Sequence, residues 1–460
     1  MISISRKLKG FSMNFAFLRN PRTRGSVVKK NILGSGLIKI ISIAISFFTV
    51  PMVLNILDQE SYGIWLTLSS IFYWIMYFDI GLGRGLRNKY AESLAKNDIN
   101  SAKSYVSTAY FSIGTVGLGF IAIFLLINPY LEWSTILNIQ DKDGENYSLI
   151  TTIIFPMFCL QFILNLIKSI LIADQKSAGS ELLNLASSSL IFGMLSYYSI
   201  LGNASLTKVA IIFSGAPVIV LLITSAYMFL GPYNHVVPEY KFAKKEYLLS
   251  IGTIGVKFFI IQICGLVTVS TTNVIVANLF SPAEVVPYSL VYRYFFYVLV
   301  AFNLISNPLY GAMTEAYAKG DIFWIKNALK KVNYISIIFV MGLGFMILVS
   351  GSFFKMWIGD TVNISLLLTI FMAIYFAQTI MITVYAVFIS AVGALKISFI
   401  FSIINATIHI PLTIYMGRRF GLVGIVLALI VPAIPGLYWL PAQTYKILNN
   451  KAKGIWGVNG

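Results

Sequence analysis

Long apolar stretches separated by short polar breaks recur along the whole chain. They fall at 31–57, 62–86, 105–129, 147–173, 179–201, 205–231, 248–280, 284–313, 332–358, 363–391, 395–416 and 420–447. Each is about 20 residues or longer, which at ~1.5 Å per residue is enough helix to cross a ~30 Å hydrocarbon core. A lone strand cannot satisfy its backbone polar groups in lipid, so every stretch is predicted as a helix. The pattern predicts an all-α polytopic membrane protein with about twelve transmembrane helices.

Composition agrees with that class. Apolar residues make up 58% of the 460 residues and charged residues only 11%, whereas a soluble domain carries about a quarter charged residues. Cys159 and Cys264 lie inside apolar runs, where they pack as small hydrophobes and offer neither a disulfide framework nor a metal site. The formal charge of +17 would suggest a nucleic-acid partner in a soluble chain, but here it must be divided between two sides of a membrane, and no nucleic-acid partner is expected.

Residues 1–30 carry Arg6, Lys7, Lys9, Arg19, Arg22, Arg24, Lys29 and Lys30 and no acid. This reads as a basic cytoplasmic arm. A signal peptide is the competing reading, but the next run has the length of a full span and ends without a small-x-small cleavage pattern. An even number of spans puts both termini on one side, and the arm makes that side the cytoplasm. The remaining cations cluster in the loops assigned to the same side. The outer loops hold only Lys142, Lys208, Lys355, Arg418 and Arg419, together with Asp58, Glu60, Glu132, Asp141, Asp143, Glu145, Glu284 and Asp360. Arg418 and Arg419 form the one outer cluster that runs against the rule.

An internal repeat is legible in the connectors. Ala91-Glu92-Ser93-Leu94-Ala95-Lys96-Asn97-Asp98 aligns with Thr314-Glu315-Ala316-Tyr317-Ala318-Lys319-Gly320-Asp321, sharing Glu, Ala, Lys and Asp at one offset. Shared composition of two helical connectors would also give such a match; the repeat reading is a duplicated six-helix unit. Six is even, so both copies enter the membrane from the same side, giving parallel halves with a cavity at their seam. The expected organisation is a basic arm at 1–30, a six-helix lobe at 31–231, a cytoplasmic linker at 232–247, a second lobe at 248–447 and a cytoplasmic tail at 448–460.

Charges inside the spans are the candidate chemistry. Lys39, Lys257 and Arg293 each sit about eight or nine residues into a predicted helix, ~12 to 14 Å deep, near the midplane. A Lys or Arg at helix centre costs ~2.5 to 3.5 kcal/mol on insertion scales. Either each snorkels or finds a partner, or the three face a wet cavity that receives an anion. Asp79 is the only acid well inside a span and cannot neutralise all three. His409, two residues before Pro411, could titrate or simply pack through hydrogen bonds. Lys168, near a span end, is expected to snorkel. No phosphate-cradling Gly-rich loop, His-Glu-x-x-His pattern or large soluble segment is present, so nucleotide hydrolysis and a resident metal or other cofactor are not expected.

The stretch with the most specific signal is Phe78-Asp79-Ile80-Gly81-Leu82-Gly83-Arg84-Gly85-Leu86-Arg87-Asn88-Lys89. There an apolar span breaks into alternating glycines and takes on cations. Together with Asp58-Gln59-Glu60-Ser61-Tyr62-Gly63-Ile64-Trp65 before it, and with Glu92, Ala95, Lys96 and the run from Lys103 to Tyr110 after it, it resembles the bacterial O-antigen and polysaccharide flippases. Their superfamily also holds the lipid II flippases and the multidrug and toxic-compound extrusion (MATE) transporters. The resemblance in detail covers the first quarter of the chain; Arg84 departs from it, standing where an uncharged residue is expected.

The resemblance implies two six-helix lobes in a V, alternating access, and a bacterial inner-membrane location. It implies transfer of an undecaprenyl-diphosphate-linked oligosaccharide to the outer leaflet through a cationic cavity, with proton or sodium coupling and polysaccharide polymerase machinery as a partner. On that reading Lys39, Lys257, Arg293, Arg84 and Arg87 are candidate substrate-binding residues, and Asp79 and His409 candidate coupling residues. A MATE-type cation-coupled exporter of small molecules is the alternative, although such a cavity would call for acids. No enzymatic activity is expected, because the longest outer loop, about Asn128 to Tyr147, is too short for a catalytic domain.

Overall fold

The computed structural model describes residues 24–78, 81–139, 146–202, 205–252 and 256–457, with the side chains at 24–33, 84, 249–252, 256–259 and 269 left aside. Those residues are predominantly helical, and no strand occurs among them. In chain order the α-helices are α1 (Arg24–Ile56), α2 (Gln59–Phe72), α3 (Leu82–Ala95), α4 (Ile99–Ile127), the short α5 (Trp133–Leu137), α6 (Tyr147–Leu164), α7 (Leu166–Ala173), α8 (Ser177–Leu201) and α9 (Leu206–Leu230). They continue as α10 (Lys245–Gly252), α11 (Val256–Leu279), α12 (Pro282–Ala318), α13 (Ile322–Ile358), α14 (Leu366–Ala391) and α15 (Lys396–Leu448).

Nine helical segments among the described residues are long and apolar enough to cross a bilayer. The other expected spans take forms that a hydropathy window misses. The stretch predicted as one helix at 62–86 is instead α2, a 3-10 turn at Tyr73–Tyr77, and α3, which starts after Gly81 at φ 76°. The glycines are the reason: Gly81 adopts a left-handed conformation that side chains with a Cβ resist. The serine-rich α8 is 25 residues long but less apolar. The 53-residue α15 holds two predicted spans, divided at Gly421 with φ 62° and ψ −147°. The count of twelve therefore stands as an expectation.

Outward faces of these helices are apolar. Leu118, Leu126, Ile223, Met341, Phe345 and Leu348 are all exposed, an apolar belt that water would not tolerate and lipid tails would. Inward faces pack aromatic clusters. Phe72 lies within 6.0 Å, ring centre to ring centre, of Phe124, Trp133, Phe155 and Phe158, and Phe124 stacks on Phe155 at 4.0 Å. Hydroxyls inside spans turn back on their own helix, as Thr67 does to the Gly63 carbonyl at 2.9 Å, leaving little polar surface facing lipid.

The two aligned connectors fold alike. Lys96 pairs with Glu92 at 2.7 Å and Lys319 with Glu315, each four residues apart. Asn97 and Gly320 both take positive φ, and Asp98 and Asp321 cap the next helices by accepting from the backbone N–H of Ser101 and Trp324, both at 3.0 Å. Hydrogen bonds from Lys96 and then Lys89 hold the Glu92 carboxyl below the usual carboxylate range.

The segment between α9 and α11 is stitched to α4. Lys103, only 16% exposed, pairs with Glu239 and lies 4.7 Å from the Phe242 ring centre. The Glu239 and Lys244 backbone N–H groups donate to the Ser107 and Thr108 hydroxyls at 3.0 and 3.1 Å, and Tyr105 meets Tyr247 edge-on at 4.6 Å. Polar backbone here is satisfied by α4 side chains that face the segment.

Candidate functional site

Helices α1 to α9 and α11 to α15 meet most closely at one end. Gly63 of α2 crosses the start of α12 so tightly that a Cβ on it would lie 1.7 Å from the Pro282 carbonyl oxygen. Beside that crossing the Gln59 amide donates to the Ala283 carbonyl at 3.0 Å. Asn138 donates to the Ala277 carbonyl at 3.0 Å and Asn278 to the Ile136 carbonyl at 2.8 Å. Farther along, the Trp357 indole stacks on Phe47 at 4.2 Å and donates to its carbonyl at 3.0 Å.

Behind this seal lies a cavity of about 640 Å³. Ser46 and Thr49 of α1, Tyr62, Trp65, Ser69 and Ser70 of α2, Tyr73, Gln161 of α6, Ser188 of α8 and Phe213 of α9 form one side. Ser270 and Asn273 of α11, with Tyr288, Ser289, Tyr292, Arg293, Phe296 and Tyr297 of α12, form the other. The α12 residues recur every three or four positions, so one helix face looks into the space. Along it Tyr288, Tyr292 and Phe296 stack at 6.3 and 5.8 Å. Pro287 within α12, one residue before the lining Tyr288, and Pro217 in α9, itself a lining residue, remove backbone donors and loosen straight helix geometry around the cavity.

Among the described residues Arg293 is the single charged one lining the cavity, and it makes no ion pair. A guanidinium held there without a carboxylate sets a positive potential in a space otherwise built of hydroxyls, amides and aromatic rings. Such a lining has donors for an anion and flat apolar faces for rings, and none of its described residues is an acid to hold a cation.

The other candidates are spread out. Lys39 is half-buried on α1 and is not among the lining residues, and Arg87 is exposed on α3. Asp79 lies outside the described residues, as do the side chains of Arg84 and Lys257. Lys168 is partly buried and donates to the Asn184 side chain at 2.8 Å. His409 is 1% exposed and is not among the lining residues, though its neighbour Thr272 lies between the lining residues Ser270 and Asn273. Its ring nitrogens face two hydroxyls, Thr272 at 3.4 Å and Thr413 at 3.3 Å. The Thr272 hydroxyl also donates to the Thr268 carbonyl at 2.9 Å, and each ring nitrogen of His409 has a hydroxyl within reach whichever tautomer it adopts. That arrangement satisfies a neutral imidazole.

Sequence reasoning singled out the cations but not the aromatic and serine lining. Tyr288, Tyr292 and Phe296 read from sequence as ordinary apolar helix. Their i, i+4 spacing beside Arg293 was the available signal.

No protein-family model matches the chain. A protein of Salmonella typhimurium whose name assigns it provisionally to O-antigen transport is 26% identical over 437 residues, covering 91% of this chain and 96% of its own. A protein of Yersinia pseudotuberculosis, named in the same provisional way for O-antigen export, is 23% identical over 418 residues, covering 88% and 92%. Among solved structures, an inward-facing multidrug-resistance MATE transporter of the MOP superfamily superposes with a TM-score of 0.74 at 13% identity, over 90% of this chain and all of that one. An outward-facing one gives 0.65 at 14% identity, over 94% of this chain and all of that one. The chain is a multi-pass membrane protein with the fold of the MATE-type transporters of the MOP superfamily, and its relatives along nearly its whole length are proteins named for O-antigen transport.

Proposed function

We propose that this protein is a flippase for an undecaprenyl-diphosphate-linked oligosaccharide, an O-antigen, capsule or exopolysaccharide unit, carried from the inner to the outer leaflet of a bacterial inner membrane. A membrane transporter rather than an enzyme is what the relatives' names and the fold support. The observation that carries the finer reading is the cavity at the seam: one unpaired arginine among stacked aromatics and hydroxyls. A diphosphate matches the guanidinium, sugar faces match aromatic rings, and sugar hydroxyls match the serines, Gln161 and Asn273. The lack of any acid among the described lining residues speaks against the alternative, an exporter of organic cations.

On this reading the two six-helix lobes rock about the seal. Both termini and the linker at 232–247 face the cytoplasm, and polymerase machinery takes the product outside. The test is a leaflet assay in proteoliposomes with a fluorescent undecaprenyl-diphosphate sugar, the protein's orientation read by labelling a cysteine at position 97, which this topology puts on the cytoplasmic side. Protein-dependent movement of the probe away from the position-97 face is expected. Movement no faster than in empty liposomes would defeat the reading, and movement only toward that face would reverse the topology.

Coupling to a proton or sodium gradient assigns the titration to Asp79 or His409. The hydroxyl bracket around His409 suits a neutral packing role better than a titrating one, which leaves Asp79 as the stronger of the two. An Asp79→Asn, His409→Gln double variant should lose its response to an imposed gradient. Full retention of that response would remove both residues from the coupling role.

A further inference from the structure

Arg418 and Arg419 stand on the side of the membrane where this chain otherwise carries few cations, and the cavity at the seam does not include them. Both are exposed and neither forms an ion pair among the described residues. A pocket of about 570 Å³ is lined by Pro411, Ile414, Tyr415, Arg418 and Arg419. The Arg419 Nη1 donates to the Tyr415 hydroxyl at 3.2 Å, which aims the guanidinium along the helix surface.

What lies beneath the pair decides what it binds. Ile400, Ile404 and Ile408 are exposed, followed by Pro411 and by Tyr415 at 58%. Their spacing of three or four residues continues to Arg418 and Arg419, so all share one stripe of α15. The stretch from Ile404 to Tyr415 is ~16 Å long, about one leaflet of a ~30 Å core. Lys396 starts the helix at one membrane face, and Arg419 lies ~35 Å away along it, which is headgroup level at the other face. Gly421, with its left-handed φ of 62°, then ends the straight run so that the chain after it does not cover the arginines. An apolar track one leaflet long, capped by two arginines and a tyrosine, has the shape and polarity of a phospholipid.

We propose that the α15 stripe is a binding site for an anionic phospholipid of that leaflet. The two guanidiniums and the Tyr415 hydroxyl hold its phosphate, and an acyl chain lies along the isoleucines. Bidentate donors suit a phosphate better than point charges do. The leaflet-length track favours an ordinary phospholipid over a longer polyprenyl chain. This site is independent of the transport reading.

The experiment is native mass spectrometry of purified protein with phosphatidylglycerol, phosphatidylcholine, undecaprenyl phosphate or inorganic phosphate added singly. Thermal unfolding is followed in parallel. Wild type should retain phosphatidylglycerol over phosphatidylcholine by about 30-fold, two interfacial cations' worth of preference. R418Q/R419Q should fall to parity at unchanged lipid-free melting temperature, and R418K/R419K should keep part of the preference. Ile404→Ser with Ile408→Ser should weaken retention of both phospholipids while leaving the preference between them. Equal preference in wild type and R418Q/R419Q would overturn the site. Arginine-dependent retention of undecaprenyl phosphate above phosphatidylglycerol, or equal stabilisation by inorganic phosphate, would overturn the phospholipid assignment.

Discussion

Replacing Arg293 by glutamine should reduce flipping about 30- to 150-fold at unchanged expression, the effect of removing a charged contact worth ~2 to 3 kcal/mol. Among the described residues Arg293 is the only charge lining the cavity and has no carboxylate partner, so a substrate anion is the partner its position leaves room for. Folding should not suffer. A lone cation in a membrane span costs ~2.5 to 3.5 kcal/mol on insertion scales, so the neutral variant should melt at the same temperature as wild type or higher. Arg293→Lys should fall between, because an ammonium keeps the charge but loses the two-pronged geometry. Initial flipping rates in proteoliposomes, with melting temperatures of the same preparations, separate these outcomes. An Arg293→Gln variant that flips at the wild-type rate would end the assignment. One that melts well below wild type would mean the guanidinium serves the fold.

The hydrophobic pattern made the helices legible because lipid imposes one rule on every span. It failed where that rule is relaxed. At 73–85 the chain is apolar enough to be read as one helix, but Gly81 and the 3-10 turn break it, and such a break is tolerated where neighbouring helices cover the backbone. The connector repeat was visible as four shared letters, and the structure gives three of them a bond: an intrahelical Glu–Lys ion pair and an aspartate cap in each connector at matching positions. Depth alone placed Lys39, Lys257 and Arg293 together. Depth, however, fixes only distance along a helix axis, whereas facing a cavity depends on rotation about that axis and on which neighbours cover the helix. Arg293 has both, in register with Tyr292 and Phe296 on the cavity face, while Lys39 shares the depth without lining the space. The aromatic ladder was hidden for the same reason, since Tyr and Phe along a span suit lipid, protein core and cavity equally well.

The seal at Gly63 should control which side of the membrane the cavity opens to. There a Cβ would lie 1.7 Å from the Pro282 carbonyl oxygen and 2.4 Å from its carbon, well inside van der Waals contact with backbone that cannot swing aside. Alanine already forces α2 and the start of α12 apart, and valine more so. The displacement also pulls the Gln59 amide from the Ala283 carbonyl, 3.0 Å away in the same contact. Nothing else at position 63 is demanding: the residue sits within regular helix, so the substitution acts through the crossing and not through backbone strain. Because α1 and α13 also meet through Phe47 and Trp357, and the chain after α5 meets the end of α11 through Asn138 and Asn278, the protein should stay folded while this closed arrangement becomes disfavoured. Gly63→Val is therefore expected to cut flipping at least about tenfold, a shift of ~1.4 kcal/mol or more in the balance between two arrangements. A cysteine placed at Tyr292 should become reachable by a membrane-impermeant reagent from the side of Gln59. In wild type, with the seal closed, the same cysteine should react from the other side. Wild-type flipping by Gly63→Val, or no change in the side from which position 292 is labelled, would show that this crossing is a fixed joint and not a gate.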